Sequence, residues 1–202
     1  LFKLVLAAVI KAVDDYQGIL RASVASAGND HRLGANEAPP AIISVYLGDQ
    51  LGALVDSIVK GEDYVPKKAL EGSIGVPESP IFPKDASARN RTSPFAFTGN
   101  KFEFRMLGSQ ANVADANIVL NTIIAKTFSE FADKLEGEAD TEGAARKLIT
   151  ETIKAHSRII FNLDGYGPAW EPVAERRGLL NNKDTADATE VFFERKNIDV
   201  FV

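Results

Sequence analysis

No segment narrows the fold more than residues 94–105, which read PFAFTGNKFEFR. Successive side chains in a strand point to opposite faces. Phe102 and Phe104 therefore share one face, and Lys101, Glu103 and Arg105 share the other. Thr98, Gly99 and Asn100 supply turn chemistry between two β-prone runs, so the stretch predicts a hairpin. Its two faces differ in kind: one is aromatic and able to anchor in a core, the other is charged.

The segments around this hairpin read mostly as helix. Residues 1–21, beginning LFKLVLAAVIKAV, predict a buried helix. Its uninterrupted apolar stretch is only residues 4–10, well short of the roughly 18 expected of a membrane span. The start loosely resembles a signal peptide, but KAVDDYQGIL continues the helical pattern where a small-residue cleavage site would stand. Helical spacing over residues 41–61 aligns Ile43, Leu47, Leu51, Leu54 and Ile58 on one stripe. A helix over 112–135 places Leu120, Ile124, Phe128, Phe131 and Leu135 on another. One more is predicted over about 142–160, with Leu148, Ile149, Ile153, Ile159 and Ile160 apolar. The tail from Phe161 reads as short helical pieces and turns.

Two loop-rich stretches interrupt this pattern. ASAGNDHRLGANEAPP follows the first helix, and residues 61–94 carry prolines at 66, 77, 80, 83 and 94. Turn-forming composition of this kind punctuates structure, and loops this long in a compact chain are usually functional or disordered. A small sheet, several helices and long loops indicate an α+β fold.

Composition removes some functions. The 202 residues are 45% hydrophobic and 25% charged with a net charge of −5, ordinary for a globular chain and unlike a general nucleic-acid binder. With no cysteine, disulfides, thiolate metal sites and thiol nucleophiles are excluded.

Three polar groups could carry chemistry. Arg32 and Glu37 lie in the first loop, which Gly34 and two prolines would make conformationally specific; a solvated surface loop is the plainer alternative. Arg89 and Arg91, in ARNRTSP, point the same way if extended and form a fork for carboxylate or phosphate; solvated surface charge is the plainer alternative. Glu103 and Arg105 share a strand face. In solvent such a pair contributes little, whereas on a covered face it makes a metal-ligand and anion-clamp pair. His156 falls on the stripe Ile149, Ile153, His156, Ile160 and reads as a packing residue. His31 sits in the loop and is expected to hydrogen-bond locally. Neither histidine has a second ligand at metal-binding spacing.

Taken in order, HRLGANEAPP, RNRTSPFAF and KFEFRMLGSQANVADANIVLNTIIA resemble segments of the glutamine synthetase catalytic domain. The first is similar to that family's arginine-bearing loop and Glu-Ala-Pro flap, the second to its Arg-Asn-Arg segment. The third is similar to its Glu-x-Arg strand running into a helix, with Val113 where the family usually has proline. RLGANEAPP, the insertion before Arg-Asn-Arg, and IIFNLDGYG…AERRGL in the tail resemble the type III branch.

The resemblance implies the glutamine synthetase/guanidino kinase-like fold. Residues 1–135 would form the carboxy-terminal half of the catalytic domain, and 136–202 the start of a helical extension. It also implies ATP-dependent ligation of ammonia to the glutamate side chain through a γ-glutamyl phosphate. Arg32 would hold the substrate carboxylate. Glu37 would shield the acyl phosphate and help deprotonate ammonium. Arg91 and Arg105 would bear on the transferring phosphoryl group, and Glu103 would ligate Mg or Mn. The implied setting is a cytoplasmic homo-oligomeric ring, a dodecamer by resemblance, with no nucleic-acid or membrane partner.

Two departures accompany it. Ala96 stands where better-known branches carry a further arginine, and the family's other metal-binding glutamates and histidine have no counterpart in the sequence. The chain therefore reads as a fragment and is expected to be inactive by itself. A non-catalytic assembly module of the same fold, or a γ-glutamyl ligase using another amine, are the alternatives.

Overall fold

A computed structural model describes residues 1–33, 41–65 and 93–202, together with the backbone of two short strands at 71–72 and 82–83. Helix α1 (Phe2–Asp15) runs through the centre, with Leu6, Ala7, Ala8, Ile10, Ala12 and Val13 essentially sealed from solvent. Burying each large aliphatic side chain contributes about 1.5–3 kcal/mol. The helix breaks at Tyr16, where φ is −116° and ψ is 24°, and continues as α2 (Gln17–Ala22). The single helix predicted over 1–21 is thus two. Gln17, itself buried, spans the break: its amide donates to the Asp14 carbonyl at 3.0 Å and its carbonyl accepts Leu180 N–H at 2.8 Å.

A one-turn helix, α3 (Ala27–Asp30), opens the first loop, capped by the Ser26 hydroxyl accepting from Asn29 N–H. The stripe predicted from Ile43 onward begins differently. Ile42, Ile43 and Ser44 are buried in non-helical chain that enters strand β1 (Val45–Tyr46). Only from Gly48 does helix α4 (Gly48–Lys60) form. Its end carries the expected stop signal, Gly61 at φ 74°, a left-handed position that favours glycine. Its start is capped from a distance: Asn162 Oδ1 accepts the N–H groups of Leu47 and Gly48 at 2.8 and 3.2 Å.

Strands β2 (Glu71–Gly72) and β3 (Phe82–Pro83) pair antiparallel. Strands β4 (Phe95–Phe97) and β5 (Phe102–Phe104) form the predicted hairpin, closed by Thr98 N–H donating to the Lys101 carbonyl at 2.9 Å. Gly99, at φ 99°, makes the tight return. β4 also pairs in parallel with β1, giving the sheet order β1-β4-β5. The free side of β1 accepts a parallel bridge from Ile160, and Phe161 N–H donates to the Val45 carbonyl at 2.9 Å.

Helices α5 (Ala114–Leu135) and α6 (Thr141–His156) follow, and both pack on α1. In α5 the buried line is Val119, Ile123, Thr127 and Phe131. The apolar stripe predicted through Leu120, Ile124 and Phe128 is rotated by one position, leaving Phe128 37% exposed. Thr127 occupies the core because its hydroxyl is satisfied by the Ile123 carbonyl at 2.9 Å. The tail turns through a 3-10 segment, Ser157–Ile159, into α7 (Trp170–Arg176), α8 (Thr185–Glu190) and α9 (Arg195–Asp199). Trp170, 2% exposed, stacks on Phe161 at 3.7 Å between ring centroids. A three-stranded mixed sheet among many helices fits the predicted α+β class. No described helix is long and apolar enough to cross a membrane.

Candidate functional site

The register of the sheet decides which side chains share a face. Val45, Phe95 and Phe104 stand in one row across the three strands, and Tyr46, Ala96 and Glu103 in the next. The first row belongs to an aromatic cluster in which Phe95 lies 5.4 Å from Phe102 and 6.4 Å from Phe104, centroid to centroid. Phe97 packs edge-on against Phe102 at 5.3 Å. The aromatic face predicted for Phe102 and Phe104 is therefore the anchor of the hairpin.

The charged face is organised around Glu103. Arg105 donates to Glu103 Oε2 through Nε at 3.0 Å and Nη2 at 2.9 Å. Lys101 Nζ lies 3.1 Å from Oε1, and the Thr98 hydroxyl donates to the same oxygen at 3.4 Å. Hydrogen bonds from Arg105 and then Lys101 hold the Glu103 carboxyl below the usual carboxylate range. The face is partly covered rather than open, with side-chain exposures of 35% for Glu103 and 20% for Arg105. Arg105 N–H also donates to the Pro94 carbonyl at 2.7 Å, which extends the ladder one residue beyond β5.

Sequence reasoning did not single out Tyr46. It flanks the same face, separated from Glu103 by Ala96, so two strand spacings, roughly 10 Å, lie between their backbones. Burial, with a smaller contribution from Asp49, pushes its phenol up from the ordinary value. The signal for it lay in recognising VY as a strand, which the helical stripe concealed.

The Arg32 segment reaches this sheet through α3. Arg32 N–H donates to the Asn29 carbonyl at 2.9 Å, and the Asn29 amide donates to the carbonyl of Leu107, two residues past Arg105, at 3.0 Å. The Arg32 side chain is exposed, as is His31. Glu37, Arg89 and Arg91 lie outside the described residues.

His156 departs from the packing role predicted for it. Its Nδ1 lies 2.8 Å from Asp14 Oδ2, and Arg158 Nε donates to both oxygens of Asp14 at 2.8 and 3.1 Å. The helical stripe placed His156 beside isoleucines but could not show that α1 presents a carboxylate opposite it. Asp14, Asp15 and His156 bring their ligand atoms within 4.8 Å of one another. Asp14 is already committed to Arg158, and Asp15 to Lys11, so the group works as an ion-pair network joining α1 to α6 and the turn beyond it. A cavity of about 690 Å³ opens in the tail, lined by Tyr166, Pro168, Glu171, Pro172, Glu175 and Asn181 among others. None of the sequence-predicted site residues that the structure describes, Arg32, Glu103 and Arg105, lines it.

Comparison with known proteins gives the arrangement a family. Residues 144–202 match the family described as the glutamine synthetase C-terminal domain. Over 99% of its length the chain is 46% identical to the type-3 glutamine synthetase of Dictyostelium discoideum, spanning 28% of that protein. It is 46% identical over 90% of its length to a glutamine synthetase of Bacteroides fragilis (strain YCH46), spanning 26% of it. With a glutamine synthetase of Butyrivibrio fibrisolvens the identity is 42% over 99% of the chain and 29% of the relative. The chain thus spans less than a third of the length of these relatives, and over that stretch it belongs to the glutamine synthetase family.

Proposed function

We propose that the chain is part of an ATP-dependent glutamate–ammonia ligase that joins ammonia to the glutamate side chain through a γ-glutamyl phosphate. The observation that carries this reading is the Glu103–Arg105 pair. An ionised carboxylate and a guanidinium are held at 2.9 Å on a partly covered face, backed by an aromatic anchor, in a chain 46% identical to a type-3 glutamine synthetase.

Each residue has a physical task in that reaction. Arg32, exposed beside α3, binds the carboxylate of the substrate glutamate by a charge-assisted fork, which gives affinity and orientation together. Arg105 and Arg91 meet the charge that spreads over the non-bridging oxygens of the transferring phosphoryl group. An arginine so placed is worth about 10³–10⁵ in rate in nucleotide hydrolases. Glu37 shields the acyl phosphate from water and takes a proton from ammonium, a role that depends on a dry site.

Glu103 offers a hard carboxylate oxygen of the kind that suits Mg or Mn. Its ionised state and partial exposure fit a ligand. Among the described residues no group of three metal-ligating side chains includes it, so it is proposed as one ligand of several. Such an ion would neutralise charge on the nucleotide phosphates. Arg105 and Lys101 compete for the same oxygens, and both can turn to substrate phosphate when Glu103 is engaged.

The remaining parts of the reading concern assembly. Residues 1–135 would be the carboxy-terminal half of a catalytic domain with the glutamine synthetase/guanidino kinase-like fold, and 136–202 the start of a helical extension. The packing of α6 on α1 supports an extension that shares the core rather than a separate body. A cytoplasmic homo-oligomeric ring completes the proposal.

The test is Arg32→Ala in the complete gene product. The KM for glutamate is expected to rise by at least about tenfold, as for loss of roughly one charge-assisted bond, while that for ATP stays within about twofold. Equal effects on both substrates would remove the carboxylate clamp.

A further inference from the structure

A single residue, Asn29, ties the backbone of Arg32 to the chain that leaves strand β5 through Arg105. Asn29, in α3, accepts the N–H groups of Arg32 and Leu33 on its carbonyl at 2.9 and 3.0 Å. Its side-chain amide donates to the carbonyls of Val24 at 2.7 Å and Leu107 at 3.0 Å. Leu107 lies three residues past the end of β5. One residue therefore sits between the Arg32 backbone on one side and the end of the Arg105 strand on the other, across 78 positions of sequence.

The next residue is fixed from the opposite direction. Asp30 Oδ2 accepts the N–H of Thr185, the first residue of the tail's α8, at 2.8 Å, and its Oδ1 lies 3.4 Å from Arg21 Nη2. Arg21 is 1% exposed, and its Nε donates to the Asn182 carbonyl at 2.9 Å. The short helix before Arg32 is thus gripped by α2, by the tail, and by the chain leaving the hairpin. An asparagine at 29 uses both amide hydrogens on two carbonyls. An aspartate of the same shape has none to give, and its charge would face two carbonyl oxygens.

We propose that Asn29 is a positioning residue for glutamate recognition: it fixes Arg32, which takes the carboxylate, relative to Arg105, which acts at the phosphorylated end of the same molecule. This rests on the ligase reading given above. A substrate held at two ends demands a set spacing between the two holders, and a misplacement of about 1 Å can cost around 10² in rate. Asn29 touches no substrate and acts through Arg32 alone.

The experiment is steady-state kinetics on the complete gene product with Asn29→Asp, Arg32→Ala and the double variant. Asn29→Asp is expected to raise the KM for glutamate by about tenfold or more and to leave the KM for ATP within about twofold, the size of one displaced charge-assisted contact. The double variant is expected to be no worse for glutamate than Arg32→Ala, because two residues acting through one contact are not additive. A purely structural role would instead lower the active fraction and leave both KM values in place. An unchanged glutamate KM in Asn29→Asp, or effects that multiply in the double variant, overturns the proposal while leaving the ligase reading intact. If Arg32→Ala leaves the glutamate KM unchanged, the substrate role of Arg32 fails and this proposal fails with it. Should Asn29→Asp not fold, Asn29→Ser, which keeps one donor, is measured the same way. A smaller shift confined to glutamate supports the proposal, and no shift overturns it.

Discussion

His156 Nδ1 lies 2.8 Å from Asp14 Oδ2 and joins helix α6 to helix α1 across 142 residues of sequence. Asp14 is 2% exposed and also receives Arg158. Removing it leaves a histidine that is mostly covered and an arginine without their common acceptor. Asp14→Ala is expected to cost about 2–4 kcal/mol, between the loss of charged hydrogen bonds and the loss of a fully buried pair. The upper end is tempered because Arg158 is 43% exposed. Urea unfolding followed by circular dichroism measures it, and a change below about 0.5 kcal/mol, the level of an ordinary surface substitution, would show that the network is ornamental.

Asn162 caps α4 and at the same time explains Gly52. A Cβ added at Gly52 would come 2.9 Å from Asn162 Nδ2, while Oδ1 of the same side chain holds the N–H groups of Leu47 and Gly48. Asn162→Ala is expected to cost about 1 kcal/mol, as for the loss of an ordinary helix cap. Gly52→Ala should fail to give the gain of about 0.5–1 kcal/mol that this change brings at an open helical position. A full gain in thermal stability would mean that Asn162 moves aside freely and that the cap contributes nothing.

The carboxyl of Glu103 titrates below its ordinary value chiefly because Arg105 donates to it. A carboxylate with a depressed folded pKa stabilises the fold fully above its unfolded value near 4.3. That contribution is lost as the pH falls through the lower folded value. Arg105→Gln is therefore expected to bring the Glu103 titration up toward the ordinary value, read from the side-chain carboxyl resonance by NMR. Asp30 behaves likewise: burial opposes its charge, but the bonds from Thr185 and Arg21 outweigh it and keep its pKa low. An unmoved Glu103 titration in Arg105→Gln would assign the effect to Lys101 instead.

Phe95 is 3% exposed, stacks on Phe102 and meets Phe104 at a tilt on the face behind Glu103. Phe95→Ala is expected to cost about 3–5 kcal/mol and to loosen the hairpin. Phe102, only partly buried, should cost less. Hydrogen exchange at the β4 and β5 amides reports the loosening, and protection equal to that of the unaltered protein would contradict the anchoring role.

The hairpin was legible in the sequence because period-2 alternation and a Thr-Gly-Asn turn act over a dozen residues. The same holds for α6, whose start is marked locally by Asp140 accepting Gly143 N–H at 2.9 Å. What escaped depends on contacts between distant segments. The non-helical run from Ile42 to Val45 has enough apolar residues to pass for a helical face, and only the pairing of Val45 with Phe95 makes its end a strand. Thr127 escaped for a local reason: its hydroxyl bonds to its own helix, so the polar residue marks the buried line and Phe128 lies outside it. Of the candidate site, alternation alone gave the shared face of Glu103 and Arg105, and the family resemblance gave their roles. Tyr46, the Asn29 tie to Leu107 and the carboxylate opposite His156 required the fold.

The central claim is tested most directly by measuring ATP turnover of the complete gene product in the presence of Mg²⁺, with and without glutamate and ammonia, beside Glu103→Gln. Turnover is expected to need both co-substrates, to yield glutamine, and to fall by at least about a hundredfold in Glu103→Gln, the size of losing one strong electrostatic contact at the reacting centre. The circular dichroism spectrum should be unchanged. Turnover that ignores glutamate, or near-normal glutamine formation by Glu103→Gln with Mg²⁺, would contradict it.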